Sequence, residues 1–182
     1  MKLITAVWLL MWLAPAAGAQ YSVVPKVNQI MTFSYPMDSG AIMYLSPMTP
    51  LVQTKGTVRV VRGSIAINID VLVDHLPPAQ SLGKDFNTYV VWIISPDGEI
   101  SNLGELTLNG DSGILHATTN WGAFGIFVTA EPDNCRKCPS TVVLTNDVCV
   151  SGLRPERLAT IVCGKASNGC SNGRTSVPGE TR

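Results

Sequence analysis

Apolar and polar positions alternate with period two through the middle of the chain. Thr57-Val58-Arg59-Val60 leads into a turn at Arg62-Gly63-Ser64. Beyond it Ile65, Ile67, Ile69, Val71 and Val73 share one face, Ala66, Asn68, Asp70 and Asp74 share the other, and Leu72 alone breaks the pattern. That alternation predicts an antiparallel strand with one wet face, which Leu76-Pro77-Pro78 ends. The next apolar run, Thr88 to Ser95, is almost wholly β-branched and aromatic, so a second strand is expected there. Pro96-Asp97-Gly98 has the chemistry of a type I turn closed by a G1 bulge: proline pre-sets φ and glycine takes the positive φ. The returning arm puts Ile100, Leu106 and Leu108 on one face and Ser101, Glu105 and Thr107 on the other, with Gly104 marking a bulge or a close contact.

The first arm of this hairpin is apolar on both sides, with Tyr89, Val91 and Ile93 on one face and Val90, Trp92 and Ile94 on the other. A two-layer sheet needs only one inward face. The second face therefore has to be covered, by the N-terminal segment or by another chain. Short strands are also expected at Ile114–Thr119, Phe124–Ala130 and Thr141–Thr145, with turns at Asn109–Gly113 and Asn120–Gly122. With no amphipathic helix between them, the pattern predicts an all-β fold: a small antiparallel β-sandwich, immunoglobulin-like in size, over residues 55–146. Tyr89, Trp92, Leu106 and Phe127 are its expected structural core.

Flanking segments have a different character. Residues 1–19 carry a short positive start, an apolar run from Leu3 to Leu13, Pro15, and small residues at Ala17-Gly18-Ala19. This is the grammar of a signal peptide, and the run is well short of the ~20 residues that span a bilayer. An exported, periplasmic or extracellular protein without a transmembrane segment after cleavage is expected. Residues 20–54 form a leader with Pro25, Pro36, Pro47 and Pro50 and with Met31, Met37, Met43 and Met48. Prolines limit it to short strand pieces, such as Ala41–Leu45. Its methionines suit gap-filling against a sheet, because neither His nor Cys joins them as a copper site would require. Residues 147–182 are expected to be a largely irregular or disordered tail.

Composition narrows the function. Thirteen basic residues balance thirteen acidic ones, so there is no electrostatic handle for nucleic acid. All five cysteines, Cys135, Cys138, Cys149, Cys163 and Cys170, follow Asp133. In an exported chain disulfides are the default, and an odd count leaves one thiol free or paired between chains. Cys135-Arg136-Lys137-Cys138 lacks a second pair at zinc-ribbon spacing, and it lacks the βαβ context of a redox motif. Gly110-Asp111-Ser112-Gly113 matches the short run around a serine-protease nucleophile. Only His75 and His116 could serve as base, and a polar turn explains the four residues better. Asp70 and Asp74 share a wet face, where solvated charge is the ordinary reading.

Five ordered segments carry a family resemblance: Leu76-Pro77-Pro78, Thr88-Tyr89-Val90-Val91-Trp92, Pro96-Asp97-Gly98, Asn102-Leu103-Gly104-Glu105-Leu106 and Phe127-Val128-Thr129-Ala130-Glu131-Pro132. Together they resemble the extracytoplasmic domain of anti-sigma-K factors, and more closely the stand-alone exported versions common in acidobacteria. The resemblance implies a small β-sandwich outside the membrane with no catalytic residues. It also implies structural roles for Tyr89, Trp92, Gly98 and Glu131-Pro132. The cytoplasmic helical domain and membrane helix of the regulators have no counterpart, so sequestration of a sigma factor does not carry over. Residues 152–168 resemble the end of outer-membrane-protein-A-like peptidoglycan-binding domains, but the Asp- and Arg-bearing segment that holds the peptide is missing and peptidoglycan binding does not carry over. The reading is a non-enzymatic module for envelope interaction or sensing, without cofactor or metal. Its partner would be an unidentified envelope protein or a second copy. The alternative is a redox or metal protein using the C-terminal cysteines.

Overall fold

Period-two patterning becomes strand wherever it runs. The computed structural model describes residues 29–48, 51, 53–134 and 137–162. Its strands are β1 (Gln29–Ser34), β2 (Ser39–Pro47), β3 (Lys55–Arg62), β4 (Ile67–Asp74), β5 (Thr88–Ile94), β6 (Ile100–Glu105), β7 (Thr107–Asn109), β8 (Ser112–Thr119), β9 (Ala123–Glu131), β10 (Thr141–Asn146) and β11 (Arg154–Thr160), with one 3-10 turn at Ala79–Leu82. Among the described residues every strand pair is antiparallel. The chain is all-β, and the sheet curls until it nearly closes as a barrel.

The path round the sheet is β9-β10-β2-β3-β4-β8-β7, and β5 lies on the other side of β9 with β6 beyond it. β6 and β7 are one run of chain bent at Leu106. Its first half borders β5 and its second half borders β8. The Leu106 N–H donates to Tyr89 O at 2.9 Å, continuing the β5 ladder through the bend. The sheet thus returns to its own far edge.

Inside lies the main core: Tyr89, Val91 and Ile93 from β5, Phe124, Ile126 and Val128 from β9, Ile67, Ile69, Val71 and Val73 from β4, and Leu106 from the bend. The other face of β5 is equally dry. Val90, Trp92 and Ile94 gather with Ile100, Phe127, Ile30 and Ala159 in a second cluster. Trp92 lies nearly parallel to Phe127, with ring centroids 6.4 Å apart, and its indole N–H donates to Thr129 Oγ1 at 2.8 Å. The cover over this second face is a ribbon of β1 and β11, paired from Gln29–Thr160 to Ser34–Arg154. One strand comes from the Met/Pro segment and the other from the segment expected to be irregular. Tyr89, Trp92, Leu106 and Phe127 are all buried.

β1 meets β9 only at Phe33–Phe124 and Ser34–Ala123, and β10 takes over the same strand at Phe127–Ala130. The amide of Asn146 fills the gap between them. Its Oδ1 accepts the Ile126 N–H at 2.7 Å and its Nδ2 donates to Met31 O at 3.0 Å. Gly125 makes this close passage possible, because a Cβ there would fall on Met31 O and Ile30.

Three expectations need correction. Ile65 does not share the buried face of β4; it sits at the tip of the β3–β4 turn, 93 % exposed, because the Gly63 N–H bonds to Ala66 O and closes the hairpin one step before the strand begins. Ile100 and Leu106 do not share a face. Leu103 is an extra residue on β6, since Val91 faces Gly104 while Trp92 faces Asn102, and one inserted residue reverses the side-chain parity. Ile100 therefore joins the Trp92 cluster and Leu106 the main core. Gly104, at φ 132° and with its N–H on Asn102 Oδ1, supplies the bulge conformation. Finally, β2 runs the full length Ser39–Pro47 rather than a short piece. The Pro96-Asp97-Gly98 turn forms as expected, with Gly98 at φ 82° and its N–H on Ser95 O at 3.0 Å.

Two substitutions test this packing. Trp92→Ala should cost about 3–5 kcal/mol in a denaturant melt, as large-aromatic deletions in cores do; a loss below about 1 kcal/mol would show that the second cluster is not packed as described. Asn146→Ala strands the Ile126 N–H and Met31 C=O and should cost about 2 kcal/mol or more, with amide exchange of β1 rising before that of β4.

Candidate functional site

The outward face of β2, β3, β4 and β8 carries the densest set of exposed chemistry. Register sets its rows: Ile42 faces Arg59, Arg59 faces Asp70, and Asp70 faces His116. Asp70 Oδ1 lies 2.8 Å from His116 Nδ1, and its Oδ2 lies 3.7 Å from the Arg59 guanidinium. One carboxylate thus serves two cationic or potentially cationic neighbours. Around this row lies a shallow depression of about 520 Å³, bordered also by Val61, Asn68 and Thr118. The adjoining row runs Tyr44–Thr57–Leu72–Ile114. Ile42, Tyr44, Leu72 and Ile114 are all exposed, Tyr44 most of all at 63 %. Apolar side chains are thus grouped beside a row of charged groups that pair with one another.

Asp70 and Asp74, which share this face, do not form a paired acid site. Asp74 accepts the Ser112 hydroxyl at 2.9 Å instead. His116 is four residues further along β8, about 13 Å away in an extended strand, and it is engaged by Asp70. The hydroxyl of Ser112 therefore donates to a carboxylate rather than to a ring nitrogen, the reverse of what a nucleophile requires. His75, at φ 57°, closes the end of β4, where its carbonyl accepts the Thr54 hydroxyl at 2.7 Å.

A second concavity of about 500 Å³ opens at the barrel seam, where β6 and β8 diverge. Asn102, Thr118, Asn120 and Trp121 are among its walls, and no charged side chain is. Trp121 and Leu103 pack their inner sides on the main core. The Asn102 amide is committed, donating to Asn134 O at 3.0 Å and accepting the Gly104 N–H at 2.8 Å.

Buried polar groups elsewhere are structural. Glu131 is fully buried, and its carboxylate accepts the backbone N–H and the hydroxyl of Ser140. Burial pushes the Tyr89 phenol up to about 12, and its hydroxyl donates to Pro77 O at 2.8 Å. Tyr35 is raised further by the same cause, stacked on Phe124 with centroids 4.3 Å apart. Both phenols stay protonated across the physiological range and serve as fixed donors.

Of the cysteines, Cys149 is an exposed free thiol, Cys138 Sγ lies 3.8 Å from Pro139 O, and Cys135, Cys163 and Cys170 lie outside the described residues. So does the signal segment. Among the described residues, no cluster of three or more His, Cys, Asp or Glu could hold a metal ion, and no helix is long and apolar enough to cross a membrane. No family model, curated protein or solved structure matches the chain. The site's meaning rests on its own chemistry.

Sequence patterning placed Asp70 and His116 on strand surfaces but not together. Their contact spans 46 positions and depends on β8 choosing β4 as neighbour, which no local signal encodes. Ile42 and Tyr44 fall in the strand piece expected at Ala41–Leu45, but nothing local shows that their side chains face outward beside Arg59 and Thr57. A fluorophosphonate probe should leave Ser112 unlabelled at neutral pH; labelling at that residue would restore a hydrolase reading.

Proposed function

We propose that the protein is a non-enzymatic β module, exported to the periplasm or beyond, that takes part in envelope interaction or sensing. The observation that carries this reading is the outward face of β2–β3–β4–β8. There Ile42, Tyr44, Leu72 and Ile114 stand exposed beside a charge row that neutralises itself through Asp70. Exposed apolar groups next to internally paired charges suit docking on a protein, since little charge must be desolvated without compensation. The signal-like N-terminus and the confinement of cysteines to the C-terminal part support export and structural disulfides. In this reading the curled sheet is a flattened two-layer sandwich of the kind found outside the membrane in anti-sigma-K factors. It works as a stiff scaffold, with the exposed face or a loop end as its contact surface.

The test is crosslinking in intact envelopes with an Ile42→Ser/Tyr44→Ser double variant. Exposed substitutions of this kind should move stability by less than about 0.5 kcal/mol each. The reading expects a crosslinked envelope partner with the wild type and its loss in the variant. Unchanged crosslinks in the variant, or a chain retained in the cytosol, would overturn it.

A further inference from the structure

We propose that the open seam of the barrel binds one extended, uncharged peptide as an added strand along β8. This deepens the interaction-module reading by naming a site and a ligand class, and it rests on that reading.

The argument starts from hydrogen-bond alternation. In an antiparallel ladder successive residues point their backbone groups to opposite edges. Because the Gly63 N–H bonds to Ala66 O, the same alternation makes Arg59–Asp70 and Thr57–Leu72 bonded pairs of the β3–β4 ladder. Ile67, Ile69, Val71 and Val73 then turn their backbone groups toward β8, and bond to Thr119, Ala117, Leu115 and Gly113. The remaining β8 residues, Ser112, Ile114, His116 and Thr118, face the other edge. Ser112 and Ile114 meet Asn109 and Thr107 of β7 there. His116 and Thr118 have no strand opposite them among the described residues, because β6 has turned away to pair with β5. Their N–H and C=O groups, about 6.6 Å apart along the strand, point to the seam side of β8; Thr118 lies in the lining of the cleft, while His116 stands beside Leu115 at its tight end.

The shape of the cleft selects the ligand. β6 and β8 are tight at Gly104, where an added Cβ would sit 3.3 Å from Leu115 Cδ1, and they splay toward Asn102, Thr118 and Trp121. A recess of this form cannot accept the edge of a second sheet, and it can accept one slim strand. The free edge at β11 is guarded differently, by Arg154, Pro155, Glu156 and Arg157. The β8 edge has no proline, its one ionisable residue, His116, is engaged by Asp70 on the outer face, and its recess shields it. Walls without a charged side chain match an uncharged segment, and the half-buried Trp121 offers an apolar platform for one of its side chains. Main-chain groups at strand spacing are what a peptide recognises.

The test uses the full mature chain. Peptides are selected against it from a displayed random library, and amide exchange is read with and without the winning synthetic peptide. In the free protein the amides of His116 and Thr118 should exchange fast while those of Leu115, Ala117 and Thr119 are protected; the peptide should slow both. Thr118→Pro removes a donor that faces only the seam and should weaken binding about tenfold or more. Asn120→Lys, which puts a charge into the lining without touching the ladder, should do the same and keeps the test open if the proline variant misfolds. The proposal is overturned if His116 and Thr118 are already protected in the free chain, or if no peptide is selected. It is equally overturned if selected peptides bind both variants normally, or if a neutral oligosaccharide occupies the cleft without changing these amides. Those results leave the outer-face variants, and the reading they probe, to stand or fall by themselves.

Discussion

One buried amide holds the place where this sheet forks. β9 is the strand that every layer shares, and along one edge it must serve β1 and then β10. Two strands cannot leave a third at neighbouring residues without stranding backbone groups between them. Asn146 resolves this by standing in for a residue of main chain: an acceptor for Ile126 and a donor to Met31, in the geometry of a peptide group. Gly125 lets β1 come this close, since a Cβ there would fall on Met31 O and Ile30 and crowd the Asn146 amide. Without the fork, β1 could not swing away with β11. The Trp92 face of β5 would then lie open to water.

That coverage explains why the hairpin could be apolar on both sides. A strand buried on two faces reads as a continuous hydrophobic run, which is unusual in an antiparallel sheet. β5 has such a run because it is a wall of two cores at once, the barrel interior and the cluster under the ribbon. The Trp92 N–H needs a partner in so dry a place, and Thr129 across the ladder provides it. Thr129 is thus a polar residue kept inside a hydrophobic layer to satisfy a single donor.

Much of this was legible in the sequence, and the failures have physical causes. β4 and the β5–β6 hairpin were readable because alternation, β-branching and turn chemistry agree locally; the Gly98 turn formed as its residues dictate. The doubly apolar β5 even announced that a cover was needed. What could not be read was the cover itself. β1 lies in a proline-interrupted segment, and β11 is polar along most of its length, with only Ala159 buried. A strand whose residues are mainly exposed has no hydrophobic signature; it exists because β1 offers it a ladder. The bulge at Leu103 was missed in its consequence for the same reason. Gly104 was recognisable as special, but an inserted residue becomes visible only against the opposite strand, so Ile100 and Leu106 were given one face where the ladder gives them two. The candidate site suffered most. Asp70, His116 and Arg59 meet by register between three strands, and register is a property of the sheet rather than of any one segment.

The closing geometry also bears on how such a fold stays monomeric or finds a partner. A sheet that closes on itself removes its edges, while a sheet that nearly closes leaves them where the last strand bends. Here the bend at Leu106 commits β6 to β5 and β7 to β8, and the shortness of β7 leaves the second half of β8 with no ladder partner on its seam edge among the described residues. Lengthening β7 would seal the seam at little conformational cost, since one chain already runs along both walls. Instead Gly104 and the Leu103 bulge turn it outward. A bulge that opens an edge beside an aromatic side chain re-aims the strand, as bulges next to binding sites do. The same local irregularity that reverses parity in β6 therefore shapes the cleft. Core packing and the shape of the seam meet in a single inserted residue.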